Sequence, residues 1–168
     1  ARIDLGVPPS ALTKYTQSAS HIAFYVQQGD GSTNLWTGGD DSGSGFSSLV
    51  VSGTTTSADF RLQTGSVANS MIQGGQSGLH IADRQSSTVA SWMRNGVDTE
   101  SNKLVTTAIS VASSNLTALA RNTGGSFSSH SGSRLAMMSV GGTLSASGRA
   151  AISVVTNAYM TSVGANPY

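Results

Sequence analysis

The chain has 168 residues, enough for one domain built around one sizeable core. Its net charge is +1, only 10% of it is charged, and seven single Arg residues carry most of the positive charge. That pattern excludes the basic stripe a phosphate backbone demands, and no nucleic-acid partner is expected.

Apolar residues make up 38% of the chain and recur in short runs, which is not the profile of a disordered segment. There is no Cys, so disulfides, a thiolate nucleophile and a Cys-based zinc site are excluded. No apolar run reaches the ~18 residues of a membrane span, and no membrane insertion is expected. Gly, Ser and Thr dominate, Lys occurs only at 14 and 103, and Glu only at 100. This composition suits an exposed protein that works outside cells, an extracellular location. The opening Ala1 to Pro9 has neither a signal-peptide core nor an initiator Met, so residues 1–168 are expected to form a single domain cut from the C-terminal part of a larger protein.

In chain order, residues 1–18 form an extended, Pro-punctuated entry. The first clear strand, His21 to Gln27, is apolar at most positions, as a central strand buried on both faces would be. A turn at 28–32 and a short segment, Asn34 to Thr37, precede Gly38-Gly39-Asp40-Asp41-Ser42-Gly43-Ser44-Gly45, whose composition predicts an irregular loop. Further strands are predicted at Ser48–Ser52, Asp59–Gln63, Val67–Ile72, Gly78–Arg84, Thr88–Arg94, around Leu104–Ser110, at Leu116–Arg121 and at Leu135–Val140, with 123–133 a loop. Asn95-Gly96 is the strongest hairpin signal, because a type I′ turn needs positive φ at both central positions.

One helix is predicted, from Ser145 to Ser162. Ser or Thr at its start can cap free amides, and Gly164 and Pro167 end it. It places Ala151, Ile152, Val155, Tyr159 and Val163 near one face and is expected to pack on the sheets.

Two sequence patterns carry a resemblance over roughly residues 20–165: Trp92-Met93-Arg94-Asn95-Gly96, and Arg134 to Val140 followed by Gly141-Gly142-Thr143-Leu144-Ser145, a helix and Val163-Gly164. In this order they resemble the concanavalin A-like jelly roll of laminin-G-type domains, in the form found at the C-terminus of phage tail fibre or tailspike proteins and in secreted bacterial proteins. The resemblance implies an all-β antiparallel sandwich with one C-terminal helix (145–163), and a domain that binds rather than catalyses. Family members begin with an earlier strand and a longer aromatic-rich segment; here either the sequence begins inside the domain or a neighbouring chain completes the sheet, as a homotrimer would allow.

A glycosidase on this fold would need two carboxylates about 5 to 9.5 Å apart. Glu100 is the sole Glu, and Asp40 and Asp41, as neighbours, point to opposite sides of a strand. No Gly-x-Ser-x-Gly lies at a strand-to-helix turn, so no catalytic residues are assigned. His80 and His21 read as structural. A saccharide site wants an aromatic plane beside hydrogen-bonding Asp, Asn or Arg. Asn34, Trp36, Asp40 and Asp41 offer that combination, with Arg84 and Arg94 near Trp92 as a second cluster. The competing reading puts both Trp residues in the core. Calcium takes about six to eight oxygens; Asp40 and Asp41 could supply some, but no spaced Asp-x-Asp-x-Asp loop exists, so no cofactor or metal site is assigned. The expected partner is a bacterial surface glycan or polysaccharide. The alternatives are a capping or trimerisation module of a fibre, and an accessory carbohydrate-binding domain of a secreted hydrolase.

Overall fold

The computed structural model describes the backbone of residues 2–29, 35–41, 45–51, 57–62, 69–72, 77–104 and 110–165, and the side chains of 2–29, 77–99 and 110–165. The described strands form two sheets, antiparallel apart from one parallel bridge, and a single α-helix closes the chain.

The strands are β1 (Ile3–Asp4), β2 (Ser20–Gln28), β3 (Leu35–Asp41), β4 (Gly45–Val51), β5 (Ser57–Leu62), β6 (Asn69–Ile72), β7 (Gly78–Arg84), β8 (Val89–Arg94), β9 (Val97–Leu104), β10 (Thr117–Ala118), β11 (Arg121–Thr123), β12 (Ser126–Ser128) and β13 (Arg134–Gly141). The first sheet runs β1-β10-β3-β4-β5-β6, with β11 and β12 attached beside β3. The second runs β13-β2-β7-β8-β9. The sheets meet where β5 approaches β7 and β6 approaches β9.

β2 is apolar at consecutive positions because both of its faces are covered. Ile22, Phe24 and Val26 face a core with Ala82, Ala90, Trp92, Tyr15 and Leu119. Ala23 and Tyr25 face the other way, onto Leu79, Ile81, Met93 and the helix residue Met160. Each large apolar side chain buried this way contributes about 1.5–3 kcal/mol. The entry segment is anchored: β1 pairs with β10, a short 3-10 turn follows at Pro9–Ala11, and Tyr15 is buried.

The β8–β9 hairpin turns at Asn95-Gly96, with φ of 50° and 83°, as the sequence requires. The Asn95 carboxamide then accepts from Leu79 N at 2.8 Å, tying the turn to β7. A Cβ at Gly78, whose φ is +109°, would run into that same carboxamide.

The strands depart from the sequence reading at several points, and β9 (Val97–Leu104) runs where no strand is predicted before Leu104. Gly38 to Asp41 belong to β3, paired residue for residue with Gly45 to Ser48 of β4; ladder hydrogen bonds come from the backbone, so a Gly-rich segment with a partner can be a strand. The predicted strand Leu116–Arg121 breaks at Leu119, whose φ is +66°, into β10 and β11. The predicted loop 123–133 contains β12, which pairs with β11 around Gly124-Gly125. Positions 105–109 of the predicted strand near Leu104–Ser110 lie outside the described residues.

The helix α1 (Ala146–Ser162) starts where Ser145 Oγ accepts from Gly148 N at 3.0 Å. It ends at Gly164, φ +67°, with Ala165 N returning to Met160 O. Ser145→Ala is expected to lower stability by about 1 kcal/mol, the usual loss for an N-cap hydroxyl; urea denaturation checks this.

α1 turns a different face inward from the one its apolar spacing picks out. Arg149, Ser153, Thr156 and Met160 are buried, whereas Val155 and Tyr159 are 67% and 62% exposed. The reason lies on both sides of the contact. Arg149 must reach Asp83, and Ser153 sits so close to the hairpin that a Cβ at Gly96 would lie 2.9 Å from its hydroxyl, a gap that admits only a small side chain.

Candidate functional site

The six binding residues inferred from the sequence fall in separate places. Asn34 lies outside the described residues. Trp36, Asp40 and Asp41 lie along β3, between β4 and β10, so they sit on a regular strand with fixed spacing rather than on a loose loop. Thr37 and Gly38 pair with Ala118 and Thr117 on one side and with Leu49 and Ser48 on the other.

Arg84 is fully buried. Its Nη1 donates to Ser86 O at 3.3 Å and Ser87 O at 2.8 Å, closing the β7–β8 turn. Burial pushes its pKa down to about 10, against a smaller opposing pull from Tyr15. Arg94 is half-buried and donates from Nη2 to Ser77 O at 2.9 Å. The two Arg residues do not form one cluster. Arg84 is paired with Ala90 and Arg94 with His80, which puts them at opposite ends of the β7–β8 pair, ~13 Å apart along the strand. Trp92 between them is fully buried.

His80 lies between aromatic rings, with centroids 5.6 Å from Phe24 and 5.7 Å from Trp92, an inner position. His21 is buried and hydrogen-bonded at both nitrogens: Nδ1 to Gly142 O at 2.6 Å and Nε2 to Ser139 Oγ at 3.0 Å. A carbonyl only accepts, so Nδ1 carries a proton and, in the neutral ring, Nε2 accepts from Ser139. Both histidines hold structure together.

Sequence reading did not single out a dense polar arrangement around Asp83. Asp83, fully buried on β7, accepts from Thr143 Oγ1 at 3.0 Å, Leu144 N at 2.8 Å and Arg149 Nη1 at 3.1 Å. Arg149 also meets Asp98 of β9, Nη2 to Oδ2 at 3.2 Å. Burial raises the Asp83 pKa above the ordinary carboxylate range; the Leu144 amide, the Thr143 hydroxyl, Arg149 and His21 each pull it down by less. The arrangement latches the strand-to-helix junction and α1 onto the five-stranded sheet. A signal for it existed: a lone Arg in an otherwise uncharged helix, and a lone Asp in an apolar strand, are each buried only when paired.

Two clefts open beside β13, which is the edge of its sheet. One, about 330 Å³, lies between β13 and α1 and is lined by Met137, Ser139, Ala151, Ile152, Val155 and Thr156. The other, about 180 Å³, is lined by Ile3, Leu5, Ala118 and residues 135–138. Neither is lined by any of the six residues picked from the sequence. Among the described residues no group of three or more His, Asp or Glu is placed to hold a metal, and no helix is long and apolar enough to cross a membrane.

No protein-family model and no curated protein matches this chain.

Proposed function

We propose that the chain is a β-sandwich of the concanavalin A-like jelly-roll type that binds carbohydrate without catalysis, recognising a bacterial surface glycan as part of a phage tail fibre or tailspike. The observation that carries this reading is the closing sequence of elements: edge strand β13, the Gly141-Gly142 turn, Thr143-Leu144, then α1. That is the order the resemblance implies. Recognition would be shallow at each site and multiplied by linking copies, which can raise avidity by about 10²–10⁴.

The test is binding of the labelled protein to a bacterial glycan array and to intact cells. Saturable, sugar-competed binding is expected. Trp36→Ala is expected to weaken it at least about tenfold, the scale of a single hot-spot aromatic, with an unchanged melting temperature. A large fall in melting temperature would make Trp36 a core residue instead. Absence of binding by the folded protein would favour a structural module that caps or assembles a fibre. One observation already leans that way: the exposed side of α1 carries no charge and bears Val154, Val155, Tyr159 and, just past its end, Val163.

A further inference from the structure

A helix on a protein surface ordinarily shows charged and polar side chains to water. In α1 the only charged residue is Arg149, and it is buried. The outward side instead presents a ridge of every fourth residue: Ser147, Ala151, Val155, Tyr159 and Val163. All five are exposed, Val155, Tyr159 and Val163 by more than half. Side chains along the ridge grow from small at its start to large toward its end.

That gradient is self-complementary. If two copies of the helix pack antiparallel about a twofold axis at Val155, Tyr159 of each falls opposite Ala151 of the other, and Val163 falls opposite Ser147. Large meets small on either side of the axis, where Val155 meets its own copy, an alternation that lets facing positions interdigitate. A parallel pairing would set Tyr159 against Tyr159 and leave Ala151 facing Ala151.

The receiving space exists. Ala151 and Val155 line the cleft between α1 and β13, about 330 Å³, together with Met137 and Ile152. A cavity of about 150 Å³ already takes a benzene ring, so a phenol ring entering beside Ala151 has room. The lining is almost wholly apolar, with Ser139 and Thr156 its only hydroxyls. A charged peptide or anionic ligand finds no counter-charge there, whereas a second uncharged copy of the ridge does not need one.

We infer that α1 is a twofold self-association surface, in which Tyr159 of each copy seats in the α1–β13 cleft of the other. The pairing is isologous, so it closes at two copies. It is independent of what the domain binds, and glycan binding can fail while it stands.

Sedimentation equilibrium of the whole chain over about 1–100 μM, a range bracketing a micromolar dissociation constant, is expected to show a monomer–dimer equilibrium. Ala151→Arg, which blocks the cleft from the solvent side, is expected to raise the dissociation constant at least about tenfold while circular dichroism and the melting temperature stay as in the parent. Because the chain has no Cys, Val155→Cys gives a unique thiol on the twofold axis. It is expected to oxidise to a disulfide-linked dimer much faster than Val97→Cys, an equally exposed control on β9, since a disulfide needs Cα atoms within about 4.4–6.8 Å. A monomer or a trimer at every concentration would overturn the inference. So would a dimer indifferent to Ala151→Arg, or equal rates of cross-linking for the two Cys variants.

Discussion

Arg149→Met is expected to cost roughly 3–5 kcal/mol at neutral pH, the usual loss when one partner of a buried ion pair is removed and the other stays charged. The loss is large because Asp83 has no exposed surface through which water could replace the guanidinium. The double variant Asp83→Leu with Arg149→Met removes both charges, and apolar replacements of a buried pair are often close to neutral. Recovery will be incomplete here. Thr143 and the Leu144 amide both donate to Asp83, and leaving them unsatisfied costs roughly 1–3 kcal/mol.

The pH dependence has a definite sign. Burial raises the Asp83 pKa, so the folded state holds that proton more tightly than the unfolded chain does. Its contribution to stability is fully present below the ordinary carboxylate pKa and is lost as pH rises through the raised folded value. Removing Arg149 raises that value further. The penalty of Arg149→Met should therefore shrink on acidification, as Asp83 takes up a proton and no longer needs a cation. Urea denaturation of parent and variant at about pH 4 and about pH 7 checks this; an equal penalty at both values would show that Arg149 acts through packing rather than charge.

What could be read from the residues was what local chemistry fixes. Ser145 and Gly164 bound α1 because capping and positive φ are properties of single residues, and Asn95-Gly96 marked its turn for the same reason. The apolar run of β2 was legible because burial on both faces leaves no polar alternation. The orientation of α1 was not legible. Periodicity reports that Val155 and Tyr159 lie together, but not which side meets the sheet; Asp83, sixty-six residues before Arg149, decides that. The strand character of Gly38 to Asp41 was equally hidden, since it depends on the partner strands β4 and β10 rather than on its own side chains. For the candidate site, the sequence identified residue types suited to a sugar. It could not foresee that Arg84 would be spent on the carbonyls of its own turn.

Trp92 provides the second large effect, and a way to separate its size from its polarity. Among the described residues it is the largest fully buried side chain, and it packs among Phe24, Ala82, Ala90 and Leu119, so Trp92→Ala is expected to cost about 3–5 kcal/mol. Among the described residues its Nε1–H has no hydrogen-bond acceptor. A buried donor left this way forfeits roughly 1–3 kcal/mol of hydration, which the parent already bears. Trp92→Phe removes the stranded donor along with part of the ring, so the two changes oppose each other. The Phe variant should stay within about 1.5 kcal/mol of the parent, as conservative apolar swaps do, while keeping an aromatic edge for His80. Equilibrium denaturation of the three proteins separates the cases. If Phe were as damaging as Ala, the indole nitrogen would have to be satisfied in solution, and the core around β8 would be wetter than its packing implies.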